Sequence, residues 1–243
     1  MSFTSLHAYA DMVLNQNIHA SEKLYIQREP GTRLLLGTRY ALLRREFLEV
    51  HKWLGSRFEK KFSGGIQKIL VTLGGSDPGH IALKVIQALK NIPRNDLEVI
   101  VVVGVGEGSI SELEVASTDS RLSIQLKTQV SNMAELMEWS DVAVSAGGSS
   151  CWELAFMGVP NIILVLAENQ QDVADGLAGL GISMNLGRHQ AFSTGDSTNA
   201  LEELFSSPGR VARMSQLGRS LVDGHGARRV LDEMAQIACR TPL

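Results

Sequence analysis

The chain has 243 residues, of which 44% are hydrophobic, 20% charged and only 6 proline, a composition that excludes a disordered or fibrous protein. At this length it holds one large or two modest domains, and roughly 70% of its surface can be buried without disulfides or metals to help. The formal charge of −3, from 23 basic and 26 acidic residues, supplies no global positive field for nucleic acid. Residues 22–62 hold ten Lys/Arg against five acids, so the basic excess is local and the remainder of the chain is acidic. The two cysteines, Cys151 and Cys239, form no CxxC pair and are too few for a disulfide framework or a zinc site. The longest apolar run, Val99 to Gly106, falls far short of the roughly 18 residues of a membrane span. The first residues lack the basic stretch of a signal peptide. These features predict a cytoplasmic protein with no metal, no cofactor, no nucleic-acid partner and no membrane span.

In chain order, Met12-Val13-Leu14 and Leu34-Leu35-Leu36 are short strand candidates, and Ser63-Gly64-Gly65 reads as a hinge. From residue 66 a regular alternation begins. Strands are expected at Lys68–Leu73, Leu97–Val103, Leu122–Leu126, Val142–Ser145, Asn161–Leu166 and Ile182–Leu186. Helical spacing of apolar residues fills the intervals at Gly79–Leu89, Ser109–Ala116, Met133–Trp139, Ser149–Met157 and Asn169–Leu180. Three further helices close the chain: Thr198–Phe205, Pro208–Val222 with proline in its first turn, and Ala227–Cys239. Runs such as Val99–Val103 are apolar at every position, which suits a strand covered on both faces. The expected fold is therefore α/β, a Rossmann-like doubly wound parallel sheet.

Ligands of such sheets bind beyond the carboxyl ends of the strands, and three turns there are rich in glycine, hydroxyl or amide groups. They are Leu73-Gly74-Gly75-Ser76-Asp77-Pro78-Gly79, Ser145-Ala146-Gly147-Gly148-Ser149-Ser150 with Glu153 in the following helix, and Glu168-Asn169-Gln170-Gln171. Glycines let the backbone approach a phosphate, and N–H groups at a helix start face it. No turn reads GxxxxGK[ST], and Gly104-Val105-Gly106-Glu107-Gly108 lacks dinucleotide spacing. Taken singly, each turn reads equally as a tight turn with an N-cap residue, and Glu153 as a first-turn acid facing the helix dipole. Three at one sheet edge favour a phosphate-bearing ligand. Gly147-Gly148-Ser149-Ser150-Cys151 misses the G-x-S-x-G elbow by its last residue, and Cys151 reads as an inert buried thiol. Among the six histidines only His80, next to the first glycine turn, lies near the inferred ligand, and it reads more simply as a solvated helix residue.

These turns, in this order, resemble the C-terminal half of the GT-B nucleotide-sugar enzymes. The resemblance is to the UDP-sugar hydrolases of pseudaminic-acid synthesis and their spore-coat-polysaccharide relatives, and more distantly to the transferases that add N-acetylglucosamine to lipid I. It is carried by Ala10–Asn17, by Leu35-Leu36-Gly37-Thr38-Arg39-Tyr40-Ala41-Leu42-Leu43-Arg44 with Glu46-Phe47, and by Val71–Pro78. It continues through Ser145–Ser150 with Glu153, Gly158-Val159-Pro160, Glu168-Asn169-Gln170 and Asp223–Val230. The resemblance implies that residues 66–243 form the nucleotide-sugar-binding domain and that residues 1–65 are the remnant of an N-terminal domain plus a linker. It also implies that Gly75, Ser76, Gly148 and Ser149 hold the diphosphate. Glu153 would accept the ribose hydroxyls, and Asn169 and Gln170 would reach toward phosphate or sugar. Uracil would be read near Val103–Gly106 and by Val130 or Met133.

The implied reaction is hydrolysis of the anomeric C–O bond of a UDP-linked acetamido sugar with release of UDP. The early Gly-x-Gly-His loop that supplies a catalytic histidine in those enzymes does not occur here, so no catalytic residue is assigned. The alternatives are a non-catalytic UDP-sugar-binding module that completes its cleft with a partner chain or second copy, through the basic stretch at Arg39, Arg44 and Arg45, and a glycosyltransferase of the same architecture.

Overall fold

The computed structural model describes residues 9–54, 65–75, 79–104, 110–118 and 121–239, with the side chains of residues 53 and 54 set aside. The hinge positions Ser63 and Gly64, the turn residues Ser76, Asp77 and Pro78, and Val105 to Ser109 lie outside the described residues.

Six strands form one wholly parallel sheet: β3 (Lys68–Thr72), β4 (Glu98–Val103), β5 (Ser123–Thr128), β6 (Val142–Ala146), β7 (Asn161–Val165) and β8 (Ser183–Arg188). Their spatial order is β5-β4-β3-β6-β7-β8. Ile69 therefore pairs with Val99 on one side and Val142 on the other. The chain builds outward from β3 in one direction, then crosses to β6 and builds in the other. The strand order reverses between β3 and β6, where open α/β sheets bind ligands. The expected α/β doubly wound parallel sheet is what the chain forms.

The all-apolar strands follow from burial on both faces, with alternate residues serving alternate layers. Ile69 and Val71 join Val99, Val101, Val142 and Val144 in one layer, covered by α2 (Ile81–Asn91) and α7 (Thr194–Phe205). Leu70 points the other way, with Ile100, Ala143 and Ile163, and meets α4 (Met133–Trp139), α5 (Ser150–Phe156) and α6 (Gln171–Gly179). Helix α3 (Ile110–Thr118) lies beside β5 and α2, and α8 (Pro208–Leu221) packs on α5. The start of β3 is fixed by Asp141, whose Oδ2 accepts the N–H groups of Gln67 and Lys68, each at 2.9 Å. Polar groups inside the second half of the sheet are satisfied among themselves. Asn161 donates from Nδ2 to Ser145 Oγ at 2.9 Å, and Ser183 Oγ donates to Asn161 Oδ1.

Ahead of this sheet, β1 (Met12–Asn15) and β2 (Arg33–Leu36) pair in parallel with Met12 opposite Arg33, as a separate two-stranded sheet. Both strands occur where the short apolar triplets predict them. A helix that the sequence reading did not place, α1 (Arg45–Leu54), follows and delivers Phe47 into the layer beneath α4 and α5. The last helix, α9 (Gly226–Ala238), returns to this opening segment. Arg229 Nη1 donates to the Arg39 carbonyl at 2.8 Å, and Arg33 Nε lies 2.6 Å from Glu233. A Cβ at Gly226 would lie 2.1 Å from the Ala41 carbonyl oxygen, so only glycine allows this approach. Among the described residues no helix is long and apolar enough to cross a membrane.

Candidate functional site

Strands β3, β6 and β7 end side by side, with Thr72 opposite Ser145 and Ala146 opposite Leu164. The three turns singled out in the sequence therefore leave one edge of the sheet together. After β3 the chain turns at Gly74, whose φ of +91° favours glycine, and exposes Gly75. The end of β4 presses against this turn: a Cβ on Gly104 would lie 2.8 Å from the Gly75 carbonyl oxygen. After β6, Gly147 is buried while Gly148 and Ser149 rise toward solvent. A side chain at Gly148 would meet nothing within 4 Å, so space lies open above it. Ser149 occupies the N-cap of α5 without using its hydroxyl as a cap.

The third turn is held against the second by one side chain. Gln170 Oε1 accepts the N–H of Leu166 at 2.9 Å and that of Gly147 at 3.3 Å. Asn169, in the short 3-10 turn Glu168–Gln170, stays exposed. Below the second turn, Glu153 in the first turn of α5 has only 13% of its side chain exposed. Its Oε1 accepts Arg44 Nε at 3.0 Å. Burial pushes the Glu153 carboxyl above the ordinary carboxylate range, Arg44 opposes that shift, and the charge of Glu46 adds to it. An anion-tolerant rim of glycine and hydroxyl groups thus stands over a carboxylate suited to accepting hydroxyl donors.

The glycosyltransferase family 28 C-terminal domain matches residues 69–215, more than half of the chain. The chain belongs to that family. Among curated relatives it is 32% identical over 176 residues to an uncharacterized protein of Methanocaldococcus jannaschii, covering 70% of this chain and 35% of that protein. It is 28% identical over 223 residues to the spore coat polysaccharide biosynthesis protein SpsG of Bacillus subtilis, covering 91% of this chain and 63% of that one. It is also 28% identical over 181 residues to a UDP-N-acetylglucosamine--N-acetylmuramyl-(pentapeptide) pyrophosphoryl-undecaprenol N-acetylglucosamine transferase of Xylella fastidiosa, covering 71% of this chain and 48% of that protein. The chain thus spans between about a third and two thirds of the length of these relatives. The crystal structure of Acinetobacter baumannii MurG shares the fold, with a TM-score of 0.66 at 16% identity over 93% of this chain and 66% of that one.

Within the family 28 domain, the structure brings Gly75, Gly148, Ser149 and Gln170 to one edge of the sheet, with Glu153 below. Ser76 lies outside the described residues, as do Val105 and Gly106 of the loop assigned to uracil. Gln170, expected to reach toward phosphate or sugar, has its carbonyl oxygen engaged by two backbone N–H groups, so it also fixes the geometry of two turns. Met133 likewise has its N–H engaged, by Glu46 Oε1 at 3.1 Å. Arg44 is exposed, as the basic stretch predicts, with half of its side chain open to solvent, and its guanidinium also reaches Glu153. It lies 109 residues away in sequence, and no local signal joins the two. Cys151 is the inert thiol expected, donating to the Ala146 carbonyl at 3.3 Å and pushed up to about 12 by burial. His80 is exposed at the start of α2 near Glu112. No cluster of three metal-ligating side chains occurs among the described residues.

Proposed function

We propose that this chain is the nucleotide-binding part of a GT-B-like enzyme that takes a UDP-linked acetamido sugar. The observation that carries the reading is the convergence of three glycine- and amide-rich turns at the strand-order reversal, over the mostly buried Glu153 carboxylate. In this reading Gly75, Ser76, Gly148 and Ser149 hold the diphosphate with backbone N–H and hydroxyl donors. Glu153 accepts the ribose hydroxyls, Asn169 faces the sugar side, and Gln170 holds the Gly147 turn in place. The family match and the UDP-N-acetylglucosamine named for the Xylella relative support this donor class. In this reading residues 66–243 supply the ligand contacts, and residues 1–65, the remnant of an N-terminal domain plus a linker, pack on them through Phe47 and Arg44. The cytoplasm, where nucleotide sugars are made, is the compartment this reading implies.

The chemistry is substitution at the anomeric carbon. An oxygen nucleophile bonds to C1, the C1–O bond to the β-phosphate breaks, UDP leaves with the bonding electrons, and the nucleophile's proton passes to a base. Glycosyl transfer uses an acceptor hydroxyl as nucleophile and fits the family 28 assignment. Hydrolysis uses water and fits the motif resemblance to UDP-sugar hydrolases, including those of pseudaminic-acid synthesis. UDP release from UDP-N-acetylglucosamine, followed by NMR with and without added acceptors, separates them: acceptor-dependent release means transfer, acceptor-free release hydrolysis, and line broadening without release a binding module that needs a partner chain.

The binding claim is tested first, by calorimetry with UDP. Replacing Glu153 with Ala removes charge-assisted hydrogen bonds worth about 1.5–3 kcal/mol, so UDP should bind roughly 10- to 100-fold more weakly. Unchanged affinity would remove the ribose assignment.

A further inference from the structure

We infer that Arg44 is a positioning residue for the nucleoside site: it holds Glu153 in the one orientation from which that carboxylate reads both ribose hydroxyls. The inference rests on the UDP-binding reading above and adds a residue from outside the six-stranded domain to it. Arg44 Nε donates to Glu153 Oε1 at 3.0 Å, while its Nη1 lies 3.2 Å from Glu46 Oε1. Glu46 Oε1 is itself fixed by the Met133 N–H at the start of α4. The guanidinium also sits 5.1 Å from the centroid of the Phe47 ring, and Phe47 is fully buried. Arg44 is thus tied directly to α1 and α5, and through Glu46 to α4, although half of its side chain is exposed.

A glutamate has three rotatable side-chain bonds, and freezing them on binding costs affinity. Arg44 does this before the ligand arrives. A carboxylate offers about four acceptor positions on its two oxygens, and the Nε contact uses one. Capacity for two hydroxyl donors therefore remains. Arg44 also counters the burial and the Glu46 charge that favour the protonated acid, which would turn one acceptor into a donor.

The test compares UDP with 2′-deoxy-UDP by calorimetry on the full chain. The unsubstituted protein should prefer UDP, since only UDP presents both hydroxyls. In Arg44→Met, UDP should weaken by about tenfold and 2′-deoxy-UDP by clearly less, because the deoxy nucleotide has only its 3′ hydroxyl contact with Glu153 to lose. The preference should then collapse toward unity. Arg44→Lys keeps the charge but loses the planar fork, so its preference should fall between the two; it also serves if Arg44→Met does not fold. Adding Arg44→Met to Glu153→Ala should change UDP binding little further. Equal weakening toward both nucleotides would overturn the inference, because it marks direct action on the phosphates or on folding. An unchanged preference would overturn it too. Failure of the unsubstituted protein to bind UDP would instead overturn the nucleotide reading, and the role of Arg44 with it.

Discussion

The molecule contains two parallel sheets that are stabilised in different ways. In the six-stranded sheet, Ile69, Leu70 and Val71 are fully buried, and helices cover both faces. Parallel sheets are stable in that setting. The two-stranded sheet buries one residue per strand, Val13 and Leu35, and a sheet this small is at best marginal by itself. What keeps it in place comes from elsewhere: Phe47 inserted under α4 and α5, Ile18 against Gly176, Arg33 beside Glu233, and α9 laid over Ala41. One region carries its own core and the other borrows stability from contacts with it. Arg44 makes one of those contacts at the candidate site.

This contrast can be broken from either side. Leu70→Ala, in the centre of the large sheet, should cost about 2–5 kcal/mol and lower the melting of the whole chain. Amide exchange in β1 and β2 should accelerate together with that in β3 to β8; protection retained in β1 and β2 would show that the small sheet stands alone. Gly226→Ala forces a Cβ against the Ala41 carbonyl, a clash of about 1–3 kcal/mol. Its effect should be confined to the opening segment and α9, with exchange in β3 to β8 unchanged; uniform acceleration would mean the two regions open as one.

Gln170→Ala should cost about 1–3 kcal/mol, since the N–H groups of Gly147 and Leu166 lose their shared acceptor. UDP affinity should fall with stability, and undiminished affinity would mean the second turn needs no brace. The smallest effect concerns His51 in α1, stacked on Phe156 with ring centroids 4.3 Å apart. Burial, with help from Arg219, pushes its pKa below the ordinary 6.5. The unfolded chain therefore takes up the proton more readily, and stability rises with pH through the window below 6.5. Docking of α1 should be fully supported above that pH and weaken as pH falls beneath it. His51→Phe should flatten this slope in thermal melts between about pH 5 and 7.

The regular domain was legible in the sequence because its signals are local. Uniformly apolar runs such as Val99–Val103 mark strands buried on both faces, and helical spacing between them marks the crossovers. Boundaries moved where capping chemistry decided them: α7 begins at Thr194 and not Thr198, because Ser193 and Asp196 form a capping box. The unplaced helix α1 has a mixed, charge-rich sequence, Arg45 to Lys52, whose apolar face shows only once Phe47 has a layer to enter.

The same division runs through the site. The sequence by itself determined that three glycine-, serine- and amide-bearing turns follow three strands, and that a parallel sheet must bring those turns to one edge, because parallel strands all end on the same side. It also marked Glu153 as the acid that follows the second turn. Only the tertiary structure decided which polar atoms are already engaged. Gln170 spends its carbonyl oxygen on Gly147 and Leu166, and Arg44 crosses 109 residues of sequence to grip Glu153. The reason is that backbone periodicity is written into neighbouring residues, whereas a contact between side chains on different elements depends on how those elements pack.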